Sequence, residues 1–399
     1  NRFVKYTILN AYFKFRVRKF MKLFKSLLVA PATLGLLSPI AVTANEINFN
    51  DVSNYSSSEE VQNISEFDAA KELAVTNSRV DGLEARFNNF EAGSFSETTT
   101  ASFSADFLIG AEKGSDDSEA VTAGYSYGIG LTTSFTGEDS FNVTIDAGNA
   151  ADGNLDELDG NGSGDGLIVD GINYTFPLGD KITAFVGDSE DGSMLYTTAC
   201  AYSGVTNTLD DCAANSGPIG AGGGTAAGAS FDIGNGFTSA IGYTGDGTNE
   251  GLMTSEGADA FGANFAYTAD SYGASVMYAS VEGDDDTTFW TLNAYWTPSE
   301  TGAVPSVSLG YEMGDPEDGD DTTQWFAGFQ WDEMGPGTLG AAVGSNGPTV
   351  EDTDEFAMYE VYYAYPVNDS MTITPVVFIQ EEADDEQDTG LMVKTSFSF

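Results

Sequence analysis

Between Ala120 and Thr136 the sequence alternates, residue by residue, between two kinds of side chain. One set is mostly large and apolar, and the other consists of glycine, serine and threonine. A period of two is that of a β-strand, whose successive side chains point to opposite faces. An apolar face opposite a face of small polar residues fits a membrane barrel with lipid outside and water inside. The two faces are Val121, Ala123, Tyr125, Tyr127, Ile129, Leu131, Thr133 and Phe135 against Thr122, Gly124, Ser126, Gly128, Gly130, Thr132 and Ser134.

The same alternation recurs along the rest of the chain. A water-soluble sandwich would need larger side chains on its buried face than these runs of Gly, Ser and Thr. We therefore predict an all-β fold, a sixteen-stranded antiparallel transmembrane β-barrel over residues 96–399, because single-chain bacterial barrels have an even number of strands. The predicted strands are 101–110, 120–135, 140–147, 168–178, 181–187, 227–233, 237–244, 259–267, 272–281, 287–296, 305–313, 322–331, 338–344, 356–365, 371–380 and 389–399.

Connections between the predicted strands alternate between short and long. The long ones carry most of the acidic runs, such as Asp284–Asp286 and Glu381–Glu382. Short turns on one rim and long loops on the other are the arrangement of outer-membrane barrels. The third long connection, 188–226, is the longest.

Charged residues within the predicted strands fall on the small, polar face, except Asp170 near a loop end. A Lys or Arg that faces lipid at mid-membrane costs about 2–4 kcal/mol, and an acid costs less. The placement of the charges therefore supports the barrel. It predicts that five charged residues line the pore and determine its selectivity: Asp106, Asp146, Glu312, Glu360 and Lys394.

All four tryptophans fall on the predicted lipid face, in two pairs whose members are six positions apart. That spacing predicts one member of each pair near each membrane interface, as in an aromatic girdle. The pairs are Trp290 with Trp296 and Trp325 with Trp331.

The start of the chain contains segments that we exclude from the barrel. Residues 1–20 precede the first Met and are interpreted as non-native upstream read-through. Residues 21–44 have the charged, apolar and small-residue regions of a secretory signal peptide. Residues 45–95 are predicted to be a periplasmic linker with a short helix, which either forms a coiled-coil stub or lies on a surface.

The composition excludes several classes of function. The chain has 14 Lys and Arg against 62 Asp and Glu, two cysteines and no histidine. Without histidine there is no Ser/His/Asp triad, and two cysteines do not build a structural zinc site. No arginine follows Arg86, which excludes a nucleic-acid-binding face on the barrel. We predict no enzymatic activity, no cofactor and no resident metal; loose binding of Ca²⁺ or Mg²⁺ by the acidic loops is a further hypothesis.

A sixteen-stranded barrel is wide enough to hold an aqueous channel. The sequence thus predicts passive diffusion of small hydrophilic solutes and inorganic ions, with a preference for cations because carboxylates raise the local cation concentration. Cys200 and Cys212 lie in the longest loop, and in an oxidising envelope they are expected to form a disulfide.

Resemblance to known proteins adds to this interpretation. The segments that carry it are Met21–Phe24 followed by LLVAPATLGLL, then VDGLEARFNNFEAGSFSETT at 80–99, and the aromatic C-terminus. They resemble the major outer-membrane porins of marine picocyanobacteria, a group related to carbohydrate-selective porins and sometimes labelled iron-uptake porins. Members carry a surface-layer-homology domain between leader and barrel, and we expect this chain to lack it. Phe397 and Phe399 resemble the signal read by the barrel-assembly machinery.

The resemblance implies an outer-membrane location, contact with outer-membrane lipid and lipopolysaccharide, and a homotrimer. In general porins the third long loop folds into the lumen and narrows it, so the loop 188–226 is expected to do the same. Its candidate constriction residues are Asp188, Glu190, Asp191, Asp210 and Asp211.

Two alternatives to an open pore stay in view. One is a non-conducting structural barrel of the outer membrane, which conductance across a bilayer separates from a porin. The other is a secreted, acidic, calcium-binding β-rich surface protein, which would stay soluble without detergent.

Overall fold

The computed structural model describes residues 98–114, 120–150, 153–218, 223–247, 251–254, 258–283, 286–300, 302–383 and 386–399. The predicted upstream segment, signal peptide and linker lie outside this part of the chain. No helix in the described ranges is long and apolar enough to cross a membrane.

Seventeen β-strands and a 3-10 helix, Gly153–Leu158, make up the regular structure of the described residues. In chain order the strands are β1 (Thr99–Lys113), β2 (Thr122–Thr133), β3 (Ser140–Gly148), β4 (Ile168–Pro177), β5 (Ile182–Glu190), β6 (Gly224–Gly234), β7 (Phe237–Gly245), β8 (Asp259–Thr268), β9 (Tyr272–Val281), β10 (Thr287–Trp296), β11 (Ser306–Pro316), β12 (Thr322–Met334), β13 (Gly337–Ser345), β14 (Thr349–Val350), β15 (Ala357–Asn368), β16 (Met371–Glu381) and β17 (Gln387–Ser398).

The sheet closes on itself as an antiparallel barrel. Strand β1 pairs with β2 on one side and with β17 on the other, and every other pairing is also antiparallel. Strand β14 has two residues and folds from its loop onto the end of β12, while β13 pairs directly with β15. The remaining sixteen strands form the barrel wall, so the predicted fold class is confirmed.

The C-terminus completes the closing seam. The N–H of Phe399 donates to the Phe103 carbonyl at 3.0 Å, and the N–H of Phe103 donates to the Phe399 carbonyl at 2.8 Å. On the outer face, the ring of Phe397 packs edge-on against that of Phe107 at 5.9 Å between centroids. The seam leaves no open sheet edge, which a spanning sheet in lipid requires.

Backbone conformation and side-chain hydrogen bonds stabilise the turns on the rim that carries the short connections. Between β6 and β7 the two residues Asn235 and Gly236 both have positive φ, 55° and 83°, which suits a tight hairpin turn. In the turn before β3, the Asp139 carboxylate accepts hydrogen bonds from the Tyr174 hydroxyl and from the N–H groups of Phe135 and Thr136. These donors hold the pKa of Asp139 well below its usual range. The long connections start from the opposite rim.

The outer face of the barrel is apolar and uncovered by protein. Large side chains on it are half exposed, such as Phe107 at 57%, Ile241 at 64% and Val361 at 52%. An apolar surface that runs around a protein marks contact with another apolar phase. Asp170, the predicted exception, is the extra residue of a β-bulge between Val169 and Gly171. Bulges re-aim side chains, and that of Asp170 lies beside lumen-facing Asp146.

The four tryptophans share this outer face. Trp290 and Trp296 are 48% and 45% exposed, and Trp325 and Trp331 are half-buried. Six residues correspond to about 20 Å along a strand, so each pair has one member near each rim. The indole N–H of Trp325 donates to Glu355 in a long-loop segment, and that of Trp331 donates to the Ala303 carbonyl at the short-turn rim.

A charge on the outer face should destabilise the barrel. Leu292 lies in the middle of β10 and is 48% exposed to the surroundings of the barrel. We expect Leu292→Arg to lower the free energy of unfolding in lipid by about 2–4 kcal/mol, because the guanidinium would face the hydrocarbon. Ser104→Arg, on the lumen face of β1, is the control and should change it little. Equal destabilisation by both variants would contradict the assignment of the two faces.

Candidate functional site

The loop between β5 and β6 lies inside the barrel. Its backbone N–H groups donate to lumen-facing side chains on successive strands, which hold the loop along the wall. Gly192 donates to Thr244 Oγ1 on β7 at 2.6 Å, Thr197 to Asn264 Oδ1 on β8 at 3.0 Å, Ala199 to Ser275 Oγ on β9 at 2.9 Å, and Ala201 to Ser308 Oγ on β11 at 2.8 Å. The small polar residues of these strands thus serve as acceptors for the loop.

Glu360 on β15 is the first of two carboxylates that anchor the loop. It accepts hydrogen bonds from the Tyr202 hydroxyl at 2.6 Å, the Thr206 N–H at 2.6 Å and the Val205 N–H at 3.1 Å. It is 1% exposed. A buried carboxylate needs such donors, because an unpartnered one is costly. The side chain therefore fixes the middle of the loop.

Glu312 on β11 is the second anchor and holds the end of the loop. Its carboxylate accepts the Ser216 N–H at 3.1 Å and the Gly217 N–H at 2.8 Å. The Thr291 hydroxyl and the Gln324 amide, on the two neighbouring strands, donate to it at 2.6 and 2.8 Å. With 3% of its surface exposed, Glu312 is as enclosed as Glu360.

Burial changes the interpretation of these two acids. Both were predicted to line the pore and to set its selectivity, and both do face the lumen. The loop covers them, however, so neither is in contact with the open part of the lumen. Their hydrogen bonds make them positioning residues for the loop.

An apolar cluster fills the space between the loop and the wall. On the loop it includes Tyr202 and Leu209, which pack against large inward-facing side chains of β12 and β15–β17. The ring of Tyr202 lies 5.3 Å from that of Phe326 and 5.9 Å from that of Tyr362, between centroids. Other wall members of the cluster are Leu108, Ala342, Met358, Val376, Phe378 and Met392.

The predicted disulfide between Cys200 and Cys212 is confirmed and lies in the middle of the loop. The Asn293 amide on β10 donates to the Cys212 carbonyl at 2.8 Å, which brings the loop backbone against the wall. A Cβ on Gly310 would overlap that carbonyl oxygen. Glycine at this position therefore permits the close approach.

The preceding long loop also enters the lumen, which the sequence did not indicate. Its 3-10 helix places Leu155 and Leu158 in the apolar cluster, where they are 3% and 0% exposed. Glu157 accepts hydrogen bonds from the Thr208 hydroxyl at 3.0 Å and from the Gln380 amide at 2.5 Å. Burial raises the pKa of Glu157. The two loops and the wall are thus joined through one carboxylate.

The part of β1–β4 near the short-turn rim is not covered in this way, whereas Leu108 and Ser126, nearer the long-loop rim, contact the inserted loop that precedes β4. Ser102, Ser104 and Thr132 are exposed on its lumen face. A ladder of side-chain hydrogen bonds crosses it from Thr132 to Asn142 at 2.9 Å, from Asn142 to Asn173 at 2.9 Å, and from Asn173 to Glu190 on β5 at 2.7 Å. This wall offers hydroxyl, amide and carboxylate groups to the lumen.

Lys394 is the one basic side chain on the lumen face of the described strands. Its ammonium lies 3.8 Å from the Asp106 carboxylate, and the two side chains are 26% and 28% exposed. It also donates to the Leu158 carbonyl at 3.4 Å. The pair lies where the packed part of the lumen meets the open wall.

The five acids predicted at the constriction fall in three places. Asp188 shares the outward phase of Val186 and accepts from Thr225 at 2.9 Å, so its assignment to the constriction is wrong. A register shift after Gly187 turns Glu190 back to the lumen, next to Asn173. Asp191 begins the loop and accepts the Ser193 N–H at 2.7 Å, while Asp210 and Asp211 lie on its inner turn.

Electrostatics around the inner turn are strongly negative. Burial, together with the neighbouring charges of Asp211, Asp159 and Glu360, raises the pKa of Asp210 to about 7. Burial is also the largest cause of the raised pKa of Asp191. Among the described residues no group of three or more Cys, Asp or Glu is placed to hold a metal ion. Loose binding of Ca²⁺ or Mg²⁺ stays a prediction.

A closed sixteen-stranded barrel with its third long loop folded into the lumen defines the class of the protein: the fold is that of an outer-membrane porin. OprB of Pseudomonas putida has this fold, with a TM-score of 0.56, 11% identity, and coverage of 76% of this chain and 94% of that one. An anion-selective porin from Comamonas acidovorans has a TM-score of 0.56 and 15% identity, with 76% of this chain and 99% of that one covered. A loop deletion mutant of OmpT of Vibrio cholerae has a TM-score of 0.52 and 11% identity, with 76% of this chain and 100% of that one covered.

Sequence comparisons reach less far. No protein-family model matches the chain. The uncharacterized protein alr4550 of Nostoc sp. is 36% identical over 110 residues, which make up 27% of this chain and 19% of that protein. The match thus spans about a fifth of the curated relative. Proteins with the porin fold are typically not enzymes.

Removing one anchor should loosen the loop. Glu360→Ala leaves the Val205 and Thr206 N–H groups and the Tyr202 hydroxyl without their acceptor, at a cost of about 1–3 kcal/mol. We expect faster proteolysis within 191–218 and noisier single-channel currents than in the wild type. The control is Glu351→Ala, an exposed residue of the long-loop rim. Unchanged proteolysis in Glu360→Ala would show that Glu360 does not position the loop.

Proposed function

We propose that the protein is a porin through which small hydrophilic solutes and inorganic ions diffuse passively across the outer membrane. The observation that carries the proposal is the division of the lumen. One part is filled by the loop, and the other presents a hydrogen-bonding wall with exposed Ser102, Ser104 and Thr132. A barrel whose lumen was filled throughout would bury this wall. A barrel without an inserted loop would leave Glu312 and Glu360 without the N–H groups that donate to them.

Cation preference follows from the charges in the lumen. Asp106, Asp146 and Glu190 lie on its wall, and Asp211 is exposed on the loop. Lys394 is the single basic group facing them among the described strands, and Asp106 already offsets it. An excess of carboxylates in a narrow passage attracts cations and repels anions.

A second candidate, a non-conducting structural barrel, has its own support. The apolar cluster that joins Leu155, Leu158 and Leu209 to the wall resembles a packed protein interior. Conductance separates the two candidates, because a structural barrel would pass no ions in either direction.

Further parts of the proposal come from the resemblance to cyanobacterial porins. They are assembly as a homotrimer, contact with lipopolysaccharide, insertion by the barrel-assembly machinery, and carbohydrate among the solutes. Chemical cross-linking of the native protein in outer membranes tests the first. Detection of monomers alone after cross-linking would contradict the homotrimer.

The ion pair offers a matched test of selectivity. We expect the wild type to show a cation-selective reversal potential in a salt gradient across a planar bilayer. Asp106→Asn should lower the cation-to-anion permeability ratio and Lys394→Gln should raise it, each by about tenfold, because in water a charge ~6 Å away favours one ion and disfavours the other by ~0.7 kcal/mol each. Asp352→Asn on the outer rim is the control. Anion preference of the wild type, or shifts of the permeability ratio in the same direction in both variants, would contradict the electrostatic argument.

Selectivity should also depend on pH through Asp210. Its pKa of about 7 means that this carboxylate is ionised at about pH 8 and mostly neutral at about pH 6, where ordinary carboxylates remain charged. Cation preference should therefore fall as the pH falls through 7. Protonation also favours the folded loop in this window, because the folded chain binds the proton more tightly than the unfolded chain.

Reversal potentials at the two pH values measure this effect. Asp210→Asn should remove most of the change, whereas Asp352→Asn should keep it. A change of the same size in both variants would assign the titration to other groups.

A further inference from the structure

The backbone of the β5–β6 loop touches the barrel wall at two places where the wall has no side chain. Gly242 on β7 faces the carbonyl oxygen of Gly192, and Gly310 on β11 faces that of Cys212. A Cβ on Gly242 would lie 1.9 Å from the first oxygen, and a Cβ on Gly310 would lie 1.7 Å from the second. Any other residue would therefore overlap the loop backbone, which has no alternative rotamer through which to move aside.

A hydrogen bond draws the loop into each of these two contacts. Beside Gly242, the N–H of the contacting loop residue donates to Thr244 Oγ1 on the same strand at 2.6 Å. Beside Gly310, the amide of its cross-strand partner Asn293 donates to the Cys212 carbonyl at 2.8 Å. Each contact thus combines a missing side chain with a polar group, and we call the two of them seats: Gly242 with Thr244, and Gly310 with Asn293.

The second seat holds a strained stretch of the loop. Cys212 and Ala213 both have positive φ, 55° and 52°, a conformation that is uncommon for residues other than glycine. Such residues persist where the surrounding structure holds them in place. Here the contacts come from Gly310, from Asn293 and from the disulfide to Cys200. Because of the disulfide, a displacement of Cys212 would also move Cys200 and the turn between the two.

The wall is the more rigid side of these contacts. Strand β11 is paired by backbone hydrogen bonds with β10 and β12, whereas side chains of the wall hold most of the loop. A carbon atom and a carbonyl oxygen rest about 3.3 Å apart, so a methyl group on Gly310 would push the loop about 1.5 Å away from β11. In the closed wall the strand opposite β11 is β3, so this movement carries the loop into the lumen.

We propose that Gly242 and Gly310 are positioning residues that determine how far the inserted loop projects into the lumen. Their missing side chains let the loop lie directly against the wall, and the lumen keeps the width that a methyl group would take from it. Asp211, which is exposed on the loop beside the second seat, would move inward with a displaced loop. The inference rests on the proposed function, because it assigns the width available to diffusing solutes to two glycines of the wall.

Alanine substitutions in the full-length protein test the inference. We expect Gly310→Ala to lower the single-channel conductance by about twofold, because the displaced loop leaves a smaller cross-section. It should also exclude polyethylene glycols that enter the wild-type channel. Gly242→Ala should act in the same direction, and it is the second variant if Gly310→Ala does not fold. The control is Gly130→Ala on the exposed wall, where a Cβ would meet the movable Ser102 side chain instead of the loop.

Two further measurements separate positioning from a loss of stability. A methyl group that only destabilised the barrel would lower its unfolding temperature and leave the conductance of folded channels unchanged, whereas a displaced loop gives a new, steady conductance. Crystal structures of the wild type and of Gly310→Ala measure the displacement itself. The Cys212 carbonyl should lie about 1.5 Å farther from β11 in the variant.

The outcomes distinguish this inference from the proposed function. Wild-type conductance in the folded alanine variants of both seats overturns the inference, and so does a rise in conductance, which would mean that the loop had left the lumen. An equal fall in Gly130→Ala also overturns it, because any methyl group on the wall would then suffice. If the wild type does not conduct, the proposed function fails. The crystal structures still decide the position of the loop, and an unmoved Cys212 carbonyl, with the overlap relieved by β11, overturns the inference.

Discussion

Everything in this structure depends on the closing of the β1–β17 seam. Lipid offers no hydrogen-bonding partner, so each backbone N–H and C=O of a membrane-spanning sheet has to find one in the protein. The sixteen strands meet this requirement only because the last strand pairs with the first. The N–H and the carbonyl of Phe399 both form hydrogen bonds with the backbone of Phe103. Once the sheet is closed, alternation sends one side chain of every pair to lipid and the other to the lumen.

A second requirement arises inside the barrel. Ordering the backbone of an inserted loop costs about 1–2 kcal/mol per residue in conformational entropy. The lumen offsets this cost in several ways: hydrogen bonds to short polar side chains, the two anchoring carboxylates, the disulfide, and the apolar cluster around Tyr202 and Leu209. The same features hold the loop to one side, and they leave Ser102, Ser104 and Thr132, near the short-turn rim of β1 and β2, exposed. The contacts that stabilise the loop thus also determine which part of the wall stays exposed.

The strands could be predicted from the sequence because alternation is local. All sixteen predicted strands exist, and their ends differ by a few residues; the two-residue strand β14 was missed, because it depends on a loop folding back onto β12. The outward face of the tryptophans and the disulfide could be predicted for the same reason, since each depends on residues near one another in sequence.

The lumen could be predicted only in part. Whether an inward carboxylate meets water or a loop depends on contacts between residues far apart, such as Glu360 with Tyr202 and Glu312 with Gly217. One signal was present in the sequence: Phe326, Met358 and Phe378 occupy the inward phase of their strands, where small or polar residues prevail elsewhere. Large apolar side chains on the inward face indicate that another part of the chain covers them inside the barrel. Asp188 was misplaced because the register shift after Gly187 reverses which face the next residues occupy.

Spin labels along β1 test the central claim most directly, namely that lipid and water contact opposite faces of each strand. A nitroxide is introduced at each position from 101 to 108 in turn, and its collision rates with oxygen and with a polar nickel chelate are measured in vesicles. The account predicts two oscillations with a period of two residues and opposite phase: oxygen highest at Phe103 and Phe107, the chelate highest at Ser102 and Ser104. Two oscillations in phase, or none, would contradict it.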